Sequence, residues 1–291
     1  DNTLTLNGDV FYYDYKGYQI SQIVDRTSVN LNFDATVKGA ELESTWEPIP
    51  GLRFNFAGGW EVGLVNKNQP AIDLMDRTAG HSDWMIVRPS IADTSNCILP
   101  VSVVKQILAG YFAQINDGYN LFFPGLFNPC DLAYFNQNNP AFAGLTLQNI
   151  YGVTGFDPST APNSGEGFTK DLGGNDLPNT PHFTLSFGSQ YTMPVSSDWA
   201  ATLRGDFYWQ ADSWARIFND NPYDRLRGYT NLNLSLILTS QGGWQAVGYV
   251  KNVFDTTAIT GAFLNSDDTA LTTNIFVTDP RLFGVRLTKN W

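Results

Sequence analysis

The sequence predicts an all-β fold, an antiparallel transmembrane β-barrel of about eight strands with one very long extracellular loop. Apolar and polar residues alternate in eight separate stretches, which is the side-chain period of a strand with two unlike faces. The connections between these stretches are alternately short and long. Large aromatic residues lie near the strand ends. They share the parity of the apolar residues, meaning that they occupy the same alternate positions along each strand. Short turns on one rim, long loops on the other and lipid around the outside account for all three observations.

The first three strands lie in LTLNGDVFYY, GAELESTW and LRFNFAGGWE. In the first, Leu4, Leu6 and Tyr12 take the apolar parity, while Phe11 joins the polar residues on the other. The turn EPIPG between the second and third supplies the proline and glycine that a tight hairpin needs. The pattern therefore predicts strands at about 4–15, 36–47 and 51–62.

The remaining five strands lie in FTLSFGSQY, WAATLRGDFYWQ, NLNLSLIL, WQAVGYVKN and PRLFGVRLTKNW. Rows of Leu, Phe and Trp face one side, and Asn, Ser, Thr or charged residues face the other. WQAVGYVKN is the most ambiguous, because Val247 and Tyr249 break the alternation. The predicted strands are about 181–192, 198–213, 227–239, 243–252 and 280–291.

The connections predict the orientation of the strands. Those at 47–51, 193–198 and 239–243 are short and rich in Pro, Ser and Gly. The longer ones are at about 16–34, 65–180, 215–227 and 254–278. Amphipathic rings mark the membrane interface. The short-turn rim is predicted to carry Trp46, Tyr191, Trp199, Trp244 and Trp291, and the other rim Tyr12, Trp60 and Trp209.

Charged residues of both signs take the polar parity, which predicts a wet lumen or a polar plug inside the strands, because lipid would penalise them. An alternative is that they form ladders that only stabilise the wall. The predicted lumen-facing residues are Glu41, Glu43, Arg53, Glu61, Arg204, Asp206, Arg225, Arg227 and Arg286.

Composition bounds the function. The net charge is −11 and no Lys/Arg cluster stands out, so nucleic acid and anionic lipid are poor candidate partners. No run of about 18 apolar residues exists, which argues against a transmembrane helix. Phosphate-binding, zinc-protease, hydrolase and dinucleotide motifs are missing, so we expect neither an enzyme nor a cofactor.

Four segments resemble a known family: NGDVFYYDYKGYQ, KGAELESTWEPIPGLRFNFAGGW, GWQAVGYVKNVFD and PRLFGVRLTKNW. Their order, the NVFD stretch at 252–255 and the final aromatic Trp291 are similar to the C-terminal barrel of TonB-dependent outer-membrane receptors. The resemblance covers residues 1–64 and 180–291 and says almost nothing about 65–180.

The resemblance implies the last third of a 22-stranded barrel, with the plug domain expected to be absent from this chain. It implies energised uptake of a scarce nutrient, such as an iron chelate, across the outer membrane of a Gram-negative cell. The implied partners are outer-membrane lipid, the protein's own plug and through it TonB, the barrel-assembly machinery and an unidentified small-molecule ligand. It identifies the last strand as the assembly signal, carried by Phe283, Val285, Leu287 and Trp291, with Lys289 departing from the family pattern.

The long loop carries further candidates. VSVVKQILAGYFAQI has Val103, Ile107, Leu108, Tyr111 and Ile115 at helical spacing, which predicts a short amphipathic helix. In such receptors the long loops cap the mouth and select ligand. Phe122, Phe123, Phe127, Tyr134 and Phe135 either line that mouth or form the loop's own small core.

Cys97 and Cys130 both lie in this loop, and an oxidising cell surface would favour a disulfide between them. Two free buried thiols are the alternative.

Two acidic regions are weaker candidates. His81 lies near Asp73, Asp76 and Asp83, which suggests either a metal site or, more simply, a solvated surface cluster. NSDDT at 265–269 lacks the spacing of a calcium loop, and we expect a solvated extracellular tip there. His182 lies at a strand start and is expected to be structural.

Two other functions remain open. A self-contained eight-stranded outer-membrane protein could act as an adhesin or small channel. A soluble, aromatic-rich binding sandwich would also show alternation.

Overall fold

The fold is described from a computed structural model, which describes residues 3–24, 27–88, 96–116, 128–135 and 144–291. Within these ranges the strands are β1 Leu4–Val24, β2 Thr27–Ile49, β3 Leu52–Val65, β4 Pro70–Ala71, β5 Trp84–Val87, β6 Cys97–Pro100, β7 Lys170–Asp171, β8 Phe183–Pro194, β9 Trp199–Gln210, β10 Ser213–Trp214, β11 Arg225–Leu226, β12 Tyr229–Ser240, β13 Trp244–Lys251, β14 Ile259–Leu264, β15 Thr273–Val277 and β16 Leu282–Lys289. The helices are α1 Val101–Asn116 and α2 Leu147–Tyr151, with a π-helical turn at Asp131–Phe135 and 3₁₀ turns at Pro158–Thr160, Pro162–Gly165, Pro222–Asp224 and Asp267–Thr269.

One eight-stranded antiparallel sheet carries the architecture. Its strand order is β1-β2-β3-β8-β9-β12-β13-β16, so each strand pairs with its neighbour in the sequence once the loop strands are set aside. All eight sheet strands were predicted. Their bounds agree within a few residues, except in the first hairpin. β1 and β16 are the two edges of the sheet.

The first hairpin is longer than predicted. The connection expected at about 16–34 is wrong for most of its length, because β1 runs to Val24 and β2 begins at Thr27. A register shift between Tyr15 and Tyr18 interrupts the pairing and then lets it resume. Such a bulge disturbs the strict period of two, which explains why the alternation of LTLNGDVFYY does not predict the upper half of the hairpin.

The sheet has an apolar face and a polar face, and each predicted parity keeps to one of them. Cross-strand partners share a face, and Phe187 lies between Phe56 and Phe207 while Leu236 lies between Leu203 and Gly248. The apolar face is open to the surroundings, with Val285 84% exposed. Exposed members of this face are Leu4, Leu6, Val10, Tyr12, Leu42, Trp46, Trp60, Phe183, Phe187, Tyr191, Trp199, Leu203, Trp209, Leu234, Leu236, Trp244, Phe283, Val285 and Leu287.

The buried core lies in the long connections rather than beneath the strands. We call the described residues of 66–182, 211–228 and 252–281 the cap. One apolar cluster lies within the first segment of the cap and contains Ile107, Leu132 and Leu147. A second apolar cluster joins Phe33 and Ala35, in the upper half of the first hairpin, to residues of the first and second cap segments. The cap therefore packs onto the strand ends at the long-loop rim.

The predicted helix in the long loop is α1. Val103 and Ile107 are buried in the cap core and Tyr111 packs against it, whereas Leu108 is exposed. The side chain of Ile115 lies outside the described ones. Among the helices in the described ranges, none is long and apolar enough to cross a bilayer.

Candidate functional site

The polar face of the sheet forms one wall of the candidate site, and the cap covers its end. A cleft of about 420 Å³ lies on this wall. Its lining includes Glu43, Asn55, Arg204, Asp206 and Tyr208, contributed by three different strands. Because the strands alternate, these side chains come together only through the cross-strand register.

Arg204 is held within this wall by a fork of hydrogen bonds. Its Nε donates to Asp206 Oδ2 at 2.8 Å, and its Nη1 donates to Gln190 Oε1 at 2.8 Å. Gln190 is its cross-strand partner on β8. A guanidinium fixed on two sides is preorganised, so it offers its remaining hydrogen-bonding capacity at a set position on the wall.

The predicted glutamates of the wall are not neutralised in this way. Glu41 is the cross-strand partner of Asp9, and Glu43 and Glu61 lie on the same face. Within the described ranges none of the four forms a salt bridge. Like charges directly opposite each other disfavour a sheet, so this part of the wall favours cationic or hydrogen-bond-donating groups on whatever lies against it.

The remaining predicted lumen-facing arginines differ in position. Arg53 approaches Glu47 at 3.7 Å near the short-turn rim, and Arg286 is exposed opposite Val247. Arg225 and Arg227 were predicted on the wall, and this is wrong. Arg225 belongs to the small β10-β11 sheet and Arg227 precedes the first residue of β12. The strand was extended too far back, because RLRGY continues the alternation into the loop.

A column of aromatic rings rises along the polar face of β1, and sequence reasoning missed it. The ring centroids of Phe11 and Tyr13 are 5.4 Å apart, those of Tyr13 and Tyr15 5.9 Å, and those of Tyr15 and Tyr18 6.1 Å. Phe11 packs over Gly39, where a Cβ would collide with the ring. The sequence signal for this column is the alternate spacing of Phe11, Tyr13 and Tyr15 in FYYDY, which places their rings on one face. Half-exposed rings in a line can stack on flat groups.

Ion pairs connect the cap segments across long sequence distances. Arg216 Nη1 donates to Asp73 Oδ1 at 2.9 Å, and its Nη2 donates to Asp224 Oδ2 at 2.7 Å. Lys170 Nζ lies 2.6 Å from Asp220 and 2.8 Å from Asp76. Burial lowers the pKa of Lys170, but the hydrogen bonds to Asp220 and Asp76 outweigh it and raise the pKa overall. These pairs fix the first cap segment to the second.

A second link joins the first segment to the last. Arg77 Nη2 donates to Asp267 Oδ2 at 2.6 Å, and Asn96 Nδ2 donates to Asp267 Oδ1 at 2.9 Å. The expectation that NSDDT is a solvated tip is therefore wrong, because Asp267 is buried. Its partners lie far away in the sequence, so no local pattern indicates the burial.

The two cysteines are bonded to each other in the structure, with their Cα atoms 5.7 Å apart. Both cysteines are fully buried in the cap core. Tyr134, predicted as a mouth residue, packs against this core and donates from its hydroxyl to the Ile98 carbonyl at 2.7 Å. Burial raises the pKa of Tyr134. Phe122, Phe123 and Phe127 lie outside the described residues, as does the side chain of Phe135.

The structure brings neither histidine into a metal cluster. The His81 ring stacks on Phe168 with centroids 3.8 Å apart, and His182 Nε2 lies 2.8 Å from Asp176 Oδ1. Asp73 and Asp76 point to Arg216 and Lys170 instead. The described residues contain no group of three His, Cys, Asp or Glu side chains able to hold a metal ion.

The predicted assembly signal forms β16 and the residues after it. Phe283, Val285, Leu287 and Trp291 are all exposed, and the first three lie on the apolar face. Lys289 shares their parity and hydrogen-bonds the Gly242 carbonyl. Its Nζ lies 5.3 Å from the ring centroids of both Trp244 and Trp291. A cation between two rings explains how this departure from the family pattern is accommodated at the interface.

No protein-family model matches the sequence, and no curated protein matches it. Solved structures do. One is the ferric yersiniabactin uptake receptor FyuA from Yersinia pestis, with a TM-score of 0.53, 14% identity, and coverage of 98% of this chain and 27% of that one. Another is the siderophore receptor PiuA from Acinetobacter baumannii, with a TM-score of 0.50, 11% identity, and coverage of 98% and 26%.

These solved structures are TonB-dependent outer-membrane receptors of Gram-negative bacteria, and they are not enzymes. At this level of identity the similarity concerns the fold. This chain spans about a quarter of the length of the receptors it matches. The predicted all-β fold class, with a large antiparallel sheet of eight strands like those of these β-barrel receptors, is confirmed.

Proposed function

We propose that this chain, which has the fold of part of a TonB-dependent receptor barrel, belongs to an outer-membrane receptor that imports a scarce nutrient. The wall would form the C-terminal part of the cylinder. The cap would help to capture the solute, and a plug moved by TonB would open the passage. No bonds are made or broken in such a role, and an iron chelate or a similar compound is the proposed cargo.

The observation that carries this proposal is the exposed apolar face. Alternate residues of the strands present Leu, Phe and Val outward between two sets of aromatic rings, and the opposite face is polar. A surface of this kind is stable only when lipid or another protein layer covers it. A soluble sandwich would cover it with a second sheet, but the other described sheets have two strands each and lie in the connections.

The open edges of the sheet favour a larger barrel over a self-contained eight-stranded one. β1 and β16 each pair on one side only, and unpaired backbone is not tolerated in lipid. Further strands of the same protein would satisfy both edges. The unneutralised wall carboxylates Glu41, Glu43 and Glu61 would then face the plug or the passing solute, together with the aromatic column at Phe11–Tyr18.

An uptake assay with the full-length gene product tests the proposal. The gene is deleted, and uptake of a panel of radiolabelled iron chelates is measured in cells with and without TonB. We expect uptake of at least one chelate to need both the gene and TonB. The same assay is repeated with cobalamin, sugars and aromatic compounds. If uptake of every compound is equal in all strains, nutrient import is rejected. Recovery of the protein in the soluble fraction without detergent would reject membrane placement as well.

A further inference from the structure

We propose that the compound imported by this receptor carries a cationic group, and that the aromatic column on β1 and the carboxylates at its lower end select this charge. The inference rests on the proposed function and narrows its cargo to cationic compounds, such as an iron chelate with a free amine. The selecting surface is the polar face of the first hairpin, where the column of rings from Phe11 to Tyr18 rises beside the cap.

The column is fixed at both ends and open in its middle. Phe11 and Tyr18 pack against the apolar cluster that joins the first hairpin to the cap. Between them, Tyr13 and Tyr15 remain 50% and 43% exposed. The electron-rich face of an aromatic ring attracts a cation, and the attraction is stronger where water is partly excluded. Because the cap packs onto this hairpin, the two open rings offer such a place to a solute.

Three carboxylates lie at the lower end of the column. Asp9 shares the parity of Phe11 and stands opposite Glu41 on β2. The Phe11 ring covers Gly39, and Gly39 is paired with Glu61 on β3, so a third carboxylate belongs to the same face. Residues two apart on one strand are about 7 Å apart, so a single solute can contact the rings and the carboxylates together.

These carboxylates have no positive counter-charge in the part of the chain that the structure describes. None of the three forms a salt bridge there. His182, whose carbonyl accepts from the Glu61 N–H at 3.0 Å, directs its ring to Asp176 instead. The β2 partners of the four rings are all uncharged, namely Gly39, Val37, Ala35 and Phe33. A surface of one charge sign concentrates ions of the opposite sign, so cations are enriched here.

Rings and carboxylates together favour a cation over the other classes of solute. A neutral flat compound would stack on Tyr13 and Tyr15 without using the carboxylates. An anionic chelate would be repelled by them. A cation is attracted by both groups. If a basic side chain of the plug neutralises the carboxylates instead, removing their charge will not change which solute is preferred, and the experiment below detects that outcome.

Three probes that share one benzene ring and differ in charge test this selection: phenyltrimethylammonium, benzamide and benzenesulfonate. Saturation-transfer NMR measures their dissociation constants for the full-length protein in a non-ionic detergent. We expect the cation to bind about fivefold more tightly than benzamide, and benzenesulfonate to bind most weakly. The double variant Y13L/Y15L should bind the cation no better than the wild-type protein binds benzamide. The double variant D9N/E41Q should lose most of the preference for the cation, and it should fold well because it relieves the repulsion between two facing carboxylates.

Matched variants separate this site from a general effect of charge or of tyrosine. E47Q/D198N removes two exposed carboxylates at the short-turn rim and changes the net charge by the same amount as D9N/E41Q. Tyr223→Leu removes a tyrosine of the second cap segment that is 91% exposed. Both variants should keep the wild-type preference for the cation.

Three results would overturn the inference: no binding of phenyltrimethylammonium, binding of benzamide or benzenesulfonate as tight as that of the cation, or an unchanged preference in D9N/E41Q. Any of these in a protein that still imports a compound with TonB rejects the cationic selection alone. If the probes bind in the expected order but uptake needs neither the gene nor TonB, the rings and carboxylates bind cations and the proposed function is rejected.

Discussion

Arg77 and Asp267, which are 190 residues apart in the sequence, form a buried ion pair between two cap segments, with 2.6 Å between Nη2 and Oδ2. Their side chains are only 3% and 1% exposed. A buried pair of this kind is weak evidence for net stability, but removing one partner leaves the other charge unpaired. The pair therefore makes the closed arrangement of the cap sensitive to either residue.

Asp267→Asn should destabilise the closed cap by about 3–5 kcal/mol, because Arg77 would keep its charge in a buried position. Hydrogen exchange should show faster exchange around residues 74–78 and 265–272, with little change in the strands. Asp255→Asn is the matched control, since Asp255 pairs with Arg281 at 3.4 Å on the surface. Unchanged exchange in Asp267→Asn would contradict the role of this pair.

Reduction of the Cys97–Cys130 disulfide should loosen the cap. The bond spans 33 residues, and closing a loop of that size contributes about 3–4 kcal/mol. Alkylation of the unfolded protein should label neither cysteine before reduction and both after it, as read by mass. Reduced protein should be cut faster by protease within the first cap segment. Labelling of both thiols without reductant would show that the bond is absent.

Acid should weaken the contact between Lys170 and the second cap segment. The hydrogen bond from Lys170 lowers the pKa of Asp220. A carboxyl with a lowered folded pKa contributes stability above its unfolded pKa of about 4 and loses it as pH falls through the folded value. Protease cleavage of the cap should therefore be slow at neutral pH and rise below about pH 4.

Lys170→Met separates this contact from general acid effects. The variant should already be cut faster at neutral pH and should show a smaller further increase in acid. Lys105→Met, which changes an exposed lysine on α1, should behave like the wild-type protein. If the pH profiles of the wild-type and Lys170→Met proteins coincide, this ion pair does not hold the cap.

Gly39 should be far less tolerant of a side chain than Gly248. A Cβ at Gly39 would collide with the Trp60 carbonyl and the Phe11 ring, whereas at Gly248 nothing lies within 4 Å. Gly39→Ala should cost about 1–3 kcal/mol, since overpacking shifts backbone and rings together. Gly248→Ala should be neutral or slightly stabilising. Urea unfolding of the refolded full-length protein in detergent measures both, and equal stability of the two variants would contradict the packing of Phe11 on β2.

The sequence predicts the strands well because each has one exposed apolar face, and a period of two is visible without any knowledge of partners. Leu203, Arg204 and Asp206 were assigned to their faces in this way. The upper half of the first hairpin was missed because a bulge interrupts its period. Arg225 and Arg227 were placed on the wall because alternation continued past the true start of β12.

Contacts within the cap could not be predicted, because they depend on distant partners. Asp267 lies in an acidic, polar stretch whose composition indicates a solvated loop. Its partners Arg77 and Asn96 are distant in the sequence, so the burial is not visible there. Arg216 meets Asp73 only through the folding of two separate connections. The sequence left two states open for the cysteines, bonded or free, because their separation along one long loop does not set the distance between them.

Spin labels along β9 test the central claim, that the alternating faces of the sheet meet lipid on one side and water on the other. Single cysteines replace residues 200–209 in turn in the full-length protein, which is reconstituted into bilayers. We expect collisions with oxygen to peak at Leu203→Cys and Phe207→Cys, and collisions with a water-soluble nickel complex to peak at Arg204→Cys and Asp206→Cys. If oxygen accessibility is equally low on both faces and Leu203→Cys is shielded from both reagents, a second protein layer covers the apolar face. That result would contradict the account.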